Sequence, residues 1–143
     1  MPADIIEPLE LLMYGAIGMT TLALSAASAG ELTLSQWRAL VVLGRTESAR
    51  VGEIANAVGM SLPSTSRLIR RLERRGLVST ERDELDRRAT RVRVTAQGKD
   101  LRDEVVRRRR TMMEGALASR APVMPRSLVA GVKAIARAFD QYE

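Results

Sequence analysis

Residues 48–95 read in order as helix, turn, helix and hairpin, and that order leaves few folds open. Ser48 to Gly59 predicts a short helix, capped by Ser48, with Ile54, Ala55 and Val58 facing inward and Gly59 as the turn. Ser61 caps a second helix that is dense in arginine and runs to Arg75, where Gly76 stops it. Two strand-like runs follow, Leu77–Glu81 and Thr90–Thr95, joined by the charged hairpin Arg82–Ala89. In Arg91-Val92-Arg93-Val94 the alternation puts valines in and arginines out, the behaviour of a half-buried strand. A helix-turn-helix followed by a β-wing is a device for holding one helix in the major groove of double-stranded DNA.

The charge distribution agrees. Between Ser61 and Arg93 there are ten arginines against five acidic residues, whereas the rest of the chain is close to balanced, with 13 basic and 12 acidic residues. A positive surface confined to one unit attracts phosphate and steers encounter. The chain has neither cysteine nor histidine. Disulfides, thiolate or imidazole metal sites, a thiol switch and a serine–histidine triad are therefore excluded, and neither catalysis nor a cofactor is expected.

The flanks predict helices. From about Pro8 to Ala27, Leu9, Leu12, Met13, Ala16, Ile17 and Thr20 recur at three- and four-residue steps, with Pro8 in the first turn and Gly30 at the end. Leu11 to Gly30 is free of charge, and Ala27-Ser28-Ala29 mimics a signal-cleavage site. However, Asp4, Glu7 and Glu10 make the preceding segment acidic, and glycine, serine and threonine dilute the apolar run. A buried helix at a subunit interface of a cytoplasmic protein, with no membrane partner, is the expectation. Thr33 and Gln36 form a capping box for a helix over Leu34–Leu43, ended by Gly44, with Trp37, Leu40 and Val41 buried. Thr95 caps a helix of about two dozen residues bearing Leu101, Val105, Met112, Met113 and Leu117, broken by Pro122 and Pro125. A last helix from about Arg126 carries Leu128, Val132, Ile135 and Phe139 in a seam that packs on another helix. The expected architecture is mainly α with a small antiparallel β-wing. A winged helix-turn-helix over 31–96 lies between dimerisation helices over 1–30 and 97–143. Such long apolar stripes call for a second copy, which would set two recognition helices about 34 Å apart.

On the arginine-rich helix, Thr65, Leu68, Ile69 and Leu72 share the inner side, while Pro63, Ser66, Arg67, Arg70 and Arg74 share the outer side with Arg71 at its edge. The start of the helix, Ser61 to Thr65, offers hydroxyls and free backbone N–H groups to phosphate. Arg67 is the candidate for a guanine edge, and Arg70, Arg71 and Arg74 for backbone or solvent. Taken singly, those arginines also fit the wet face of an amphipathic helix, paired in part with Glu73. The Arg107–Arg110 run reads as a solvated face, because Asp103, Glu104 and Glu114 lie within a turn.

Leu72-Glu73-x-x-Gly76-Leu77-Val78, Asp86-Arg87-Arg88-Ala89 and Val94-Thr95-x-x-Gly98, with Leu32-Thr33 and Gln36-Trp37 upstream, resemble the MarR family of bacterial transcription regulators. The resemblance is close from about Leu32 to Leu101 and implies a homodimer on a pseudo-palindromic site. It usually implies repression relieved by a small molecule. It assigns Pro63, Ser64, Thr65 and Arg67 to the groove. Arg88 becomes the wing tip in a minor groove, held by an ion pair with Asp86, and Arg87 takes a phosphate. A turn-stabilising Asp86–Arg88 bridge without a DNA role is the alternative. The family's effector cleft, often for aromatic acids or phenols, would draw on Met13, Tyr14, Ile17, Trp37, Arg38, Met112 and Met113. Trp37 and the methionines read equally as core. A DNA-binding architectural protein with little sequence preference is the competing function, against which Ser61, Ser64, Thr65 and Ser66 argue.

Overall fold

The computed structural model describes residues 3–28, 30, 32–118 and 125–140; Ala29 and Pro122 lie outside them. Six helices and a three-stranded sheet are formed by these residues: α1 Ala3–Ser25, α2 Leu34–Leu43, β1 Ala49–Arg50, α3 Val51–Val58, α4 Leu62–Arg74, β2 Val78–Arg82, β3 Thr90–Val94, α5 Ala96–Ala118 and α6 Arg126–Phe139. The sheet is antiparallel in the order β1-β3-β2, with Val78 opposite Val94, Thr80 opposite Val92 and Ala49 also opposite Val92.

Local chemistry sets most boundaries. The Thr33 hydroxyl accepts from the Gln36 N–H at 3.2 Å, and the Gln36 side chain accepts from the Thr33 N–H at 3.0 Å, so the expected capping box opens α2. Gly59 turns left-handed at φ 68° to end α3. Gly76, at φ 71°, ends α4 in a Schellman arrangement: the Leu77 N–H reaches the Leu72 carbonyl at 3.0 Å and the Gly76 N–H reaches Glu73 at 2.9 Å. Thr95 then donates its hydroxyl to the Gly76 carbonyl at 2.6 Å and accepts from the Gly98 N–H at 3.1 Å, tying the end of α4 to the start of α5. Gly98 is required there because a Cβ would run into the Leu77 carbonyl oxygen and sit 2.7 Å from Val94.

Three expectations change. Helix α1 starts at Ala3, so Pro8 lies inside it; the donor it removes would serve the Asp4 carbonyl, in an exposed turn where water can replace it. Ser48 does not cap α3. Arg50 holds the N-cap position, its N–H bonded to the Glu53 carboxylate at 2.6 Å, while Ser48 accepts from Arg91 at 2.8 Å. Strand β1 had no sequence signature, being two residues long and made by pairing with β3.

The core gathers Leu40, Leu43, Ile54, Leu72, Leu77, Val92 and Val105, all fully buried. Helix α1 docks on α5 by burying Thr20, Ala23 and Leu24. By length and composition Asp4–Ser25 could cross a membrane, but polar bonds at its end hold it to the domain. Glu104 accepts from the Ser28 N–H at 3.1 Å and hydroxyl at 2.5 Å, and Arg109 donates to Thr20 at 3.3 Å. The Ser28 hydroxyl, with Arg108 beside it, holds the Glu104 carboxyl below its ordinary range.

Candidate nucleic-acid interface

Helix α4 is fixed by its inner side and presents its outer one. Leu68, Ile69 and Leu72 lie in the core. Ser61, Pro63, Arg67, Arg70, Arg71 and Arg74 are exposed, with Ser64 and Ser66 half-buried at the margin. Ser61 is the N-cap and accepts from the Ser64 N–H at 3.3 Å; Pro63 sits in the first turn, where its missing donor costs nothing. Arg67 donates to the Ser64 hydroxyl at 3.1 Å, which holds its fork along the helix start.

Thr65 leaves the candidate set. Its side chain is fully buried and donates to the Ser61 carbonyl at 3.0 Å, as the helical periodicity of its neighbours implies. The motif-based assignment to the groove gives way because no face of Thr65 is open. Arg75 bonds the Gly30 carbonyl at 3.4 Å and so belongs to the frame.

The wing is organised around a residue that sequence reasoning passed over. Asp83, with a side chain 1% exposed, accepts from Arg50 Nε and Arg91 Nε, each at 2.9 Å. Its other oxygen accepts from the N–H groups of Leu85 at 2.8 Å and Asp86 at 3.2 Å. The Leu85 N–H is the largest influence and, with Arg50 and Asp86, outweighs burial to lower the Asp83 pKa from 3.8 to about 2. One carboxylate thus locks the wing turn to the start of α3 and to β3. The available signal was an aspartate two residues before the first turn amide, the spacing of an Asx turn.

Asp86 also acts differently from expectation. Its carboxylate accepts from the Arg88 backbone N–H at 3.1 Å, and its carbonyl from the Ala89 N–H at 2.8 Å. Among the described residues it makes no ion pair with the Arg88 guanidinium. The carboxylate shapes the turn, and the guanidinium is left projecting from it.

The outcome is electrostatic. Glu73, the acid expected to neutralise α4, accepts instead from Thr80 at 2.6 Å, and Glu81 pairs with Arg93 at 2.9 Å. Arg67, Arg70, Arg71, Arg74, Arg87 and Arg88 have no ion-pair partner among the described residues. Between α3, the start of α4 and the wing runs an open cleft of about 700 Å³, lined by Arg50, Glu53, Asn56, Leu62, Ser66 and Arg88 among others. Forked cations on a fixed helix and on a fixed turn can take phosphate oxygens or a base edge bidentately. Of the Arg107–Arg110 run, Arg107, Arg108 and Arg110 are exposed, with Arg108 paired to Glu104 at 2.9 Å, whereas Arg109 is half-buried against Thr20 of α1.

The seven residues expected around an effector are not gathered in one chain. Met13, Tyr14 and Ile17 lie on the exposed side of α1, Met113 is exposed, and Met112 packs against the core beside Leu22 and Arg108. Trp37 and Arg38 share a separate cleft of about 400 Å³ between α2 and α5. Helical spacing placed the seven along their helices but carried no information on which helices meet.

Comparisons with known proteins agree with this arrangement. The sequence model of the MarR family matches residues 31–89. An uncharacterised HTH-type transcriptional regulator, YfiV of Bacillus subtilis (strain 168), is 26% identical over 110 residues, covering 77% of this chain and 69% of the relative. A MarR family protein from Bacillus stearothermophilus superposes with a TM-score of 0.75 at 25% identity, over 99% of this chain and 97% of that one. A point mutant of MepR from S. aureus, solved bound to an oligodeoxyribonucleotide, superposes with a TM-score of 0.69 at 20% identity, over 94% and 96% of the two chains.

Proposed function

We propose that this chain, whose residues 31–89 match the MarR family of transcription regulators, acts as a homodimeric repressor of that family. It binds a pseudo-palindromic duplex site in the cytoplasm and leaves it when a small effector binds. Regulators of this family act by binding and are not enzymes. The observation that carries the reading is the set of six guanidiniums on α4 and the wing without an ion-pair partner among the described residues, while Glu73 and Glu81 are committed to Thr80 and Arg93. In the proposed complex Ser61, Pro63 and Ser64 bring the start of α4 against the groove, and Arg67 reads a guanine. Arg70 and Arg71 hold the backbone, Arg87 takes a phosphate and Arg88 enters the flanking minor groove. The MepR mutant solved bound to an oligodeoxyribonucleotide shares the fold, which supports duplex DNA as the partner.

Dimerisation is supported by what a single chain leaves uncovered. Leu11, Leu12 and Tyr14 on α1, and Leu128 and Val132 on α6, are 46–73% exposed. Residues 31–96 would then form the DNA-binding unit, with 1–30 and 97–143 as the dimer frame.

Affinity for selected genomic fragments against random duplex, measured at one stated salt concentration, tests the reading. A regulator prefers its site by at least about a thousandfold. Arg67→Ala should cost about 1–3 kcal/mol at one base pair while changing random-duplex binding little. Equal affinity for both duplexes would replace the regulator with an architectural protein.

A further inference from the structure

Asp83 Oδ2 is shared by two arginines that diverge at the wing. Arg91 donates from Nη1 to Ser48 at 2.8 Å and lines a cleft with Glu81, Glu84 and Arg93. Arg50 lines a different one, the open cleft between α3, the start of α4 and the wing, where Arg88 stands on the wing side. Its Nε goes to Asp83 at 2.9 Å, its side chain stays 40% exposed, and its Nη atoms make no hydrogen bond among the described residues. A guanidinium pinned by one nitrogen keeps its outer fork in place, and such a fork takes phosphate oxygens bidentately. Glu53 is the acid among the described residues of this cleft, and it is turned back onto the Arg50 N–H at 2.6 Å.

With α4 in the major groove and Arg88 in the flanking minor groove, one part of the duplex still needs a place. A sugar–phosphate strand separates the two grooves, so it must cross the cleft that separates α4 from the wing. The walls suit such a strand. Arg50 offers a fork to phosphate, Ser66 adds a hydroxyl from α4, and Leu62, 55% exposed, offers apolar surface to deoxyribose. We infer that Arg50 is a duplex contact, gripping the phosphate strand that passes between the groove read by α4 and the groove entered by the wing. This assignment rests on the docking proposed above and adds the residue that joins its two halves. The carboxylate that anchors Arg50 also holds the wing turn, through the Leu85 and Asp86 N–H groups. One buried group therefore sets the spacing between the phosphate contact and Arg88. The contact carries affinity and no sequence preference.

The probe is a fluorescein-labelled duplex of random sequence, titrated with the full chain at salt from about 50 to 200 mM. Each phosphate contact removed lowers the slope of log affinity against log salt by about 0.9, hence by about 1.8 for a two-fold pair. Arg50→Gln should show that drop, and Arg50→Lys, which restores the charge, should recover most of it. Arg91→Gln is the control: it changes net charge equally and also takes one arginine from Asp83, but in the other cleft, so its slope should match wild type. In the unmutated chain, NMR should show the Arg50 Nη protons exchanging more slowly with water once duplex is added, and those of Arg91 unaltered. An unchanged slope in Arg50→Gln, unchanged Arg50 exchange, or an equal loss in Arg91→Gln overturns the inference; the last result would make Arg50 a prop of the wing. On a selected genomic fragment Arg50→Gln should weaken binding by the same factor as on random duplex, and a loss confined to the fragment would overturn the phosphate assignment. Arg88→Gln reports separately on the docking: an unchanged slope there removes the wing from the duplex, whatever Arg50 does.

Discussion

Between Leu32 and Val105 the chain buries most of its large apolar side chains within itself, with Leu34, Leu62 and Leu85 left exposed, whereas α6 has no buried residue and α1 hides little beyond Thr20, Ala23 and Leu24. The winged unit closes a core of Leu40, Leu43, Ile54, Leu72, Val78 and Val92 from five elements. Helix α6 keeps Leu128, Val129 and Val132 at 43–56% exposure with a strongly amphipathic pattern. One region is therefore a self-sufficient scaffold whose polar surface is open to a ligand. The other carries apolar surface that water leaves unsatisfied and that a second copy would cover. The two regions should respond to mutation in different ways: the first in unfolding, the second in association.

Leu72→Ala is the largest expected effect. Removing a fully buried leucine from a core closed within the chain costs about 2–5 kcal/mol. Chemical denaturation should give the same loss at low and high protein concentration. A loss that grew on dilution would mean that the winged unit, too, relies on its partner. The complementary change is Leu128→Ala with Val132→Ala. Each side chain contributes about 1.5–3 kcal/mol if it becomes fully buried between copies, and nothing if α6 stays in water. Sedimentation should show weaker association, with the circular dichroism of the winged unit unaltered at concentrations where the dimer persists. Unchanged association would end the contrast, leaving α6 as an appendage.

What could be read beforehand divides along the same line as the contacts. Caps, stops and faces depend on neighbours a few residues away, so Thr33–Gln36, Ser61, Gly76 and the two sides of α4 were legible from spacing. Strand β1 was not, because its two residues become a strand only by pairing with β3, some forty positions on. The role of Asp83 depends on Arg50 arriving from 33 residues earlier, which no local pattern announces. Thr65 shows a conflict within the reading itself: periodicity put it inside and motif correspondence put it outside, and burial sided with periodicity. Asp86 was assigned to the right turn but the wrong atom of Arg88, its backbone N–H rather than its guanidinium. For the cleft between α2 and α5, the family resemblance pointed to Trp37 and Arg38, but Arg45, Arg102 and Arg109 join them only through the docking of α5 on α2.

The smallest effect at neutral pH, and the most local, concerns the Asp83 lock. Its carboxyl titrates at about 2 when folded, against an ordinary 3.8. A lowered folded pKa means the charged form is favoured by the native wing, so this contribution is complete above about pH 4 and vanishes as pH falls through about 2. Between those values a wild-type wing should stay closed while exposed aspartates protonate. The carboxyl carbon of Asp83 and the Leu85 amide, followed together by NMR, should therefore move with a common midpoint near 2. Asp83→Asn keeps an oxygen for the Leu85 and Asp86 N–H groups but cannot hold Arg50 and Arg91 by charge. In that variant the Leu85 amide should show no such midpoint, and duplex affinity should fall through a less fixed Arg88 while the denaturation midpoint of the core barely moves. A midpoint for Asp83 at its ordinary value would mean that the two arginines and the turn amides do not converge on it. The wing would then lack its anchor and resemble α6, a segment waiting for a partner to give it shape.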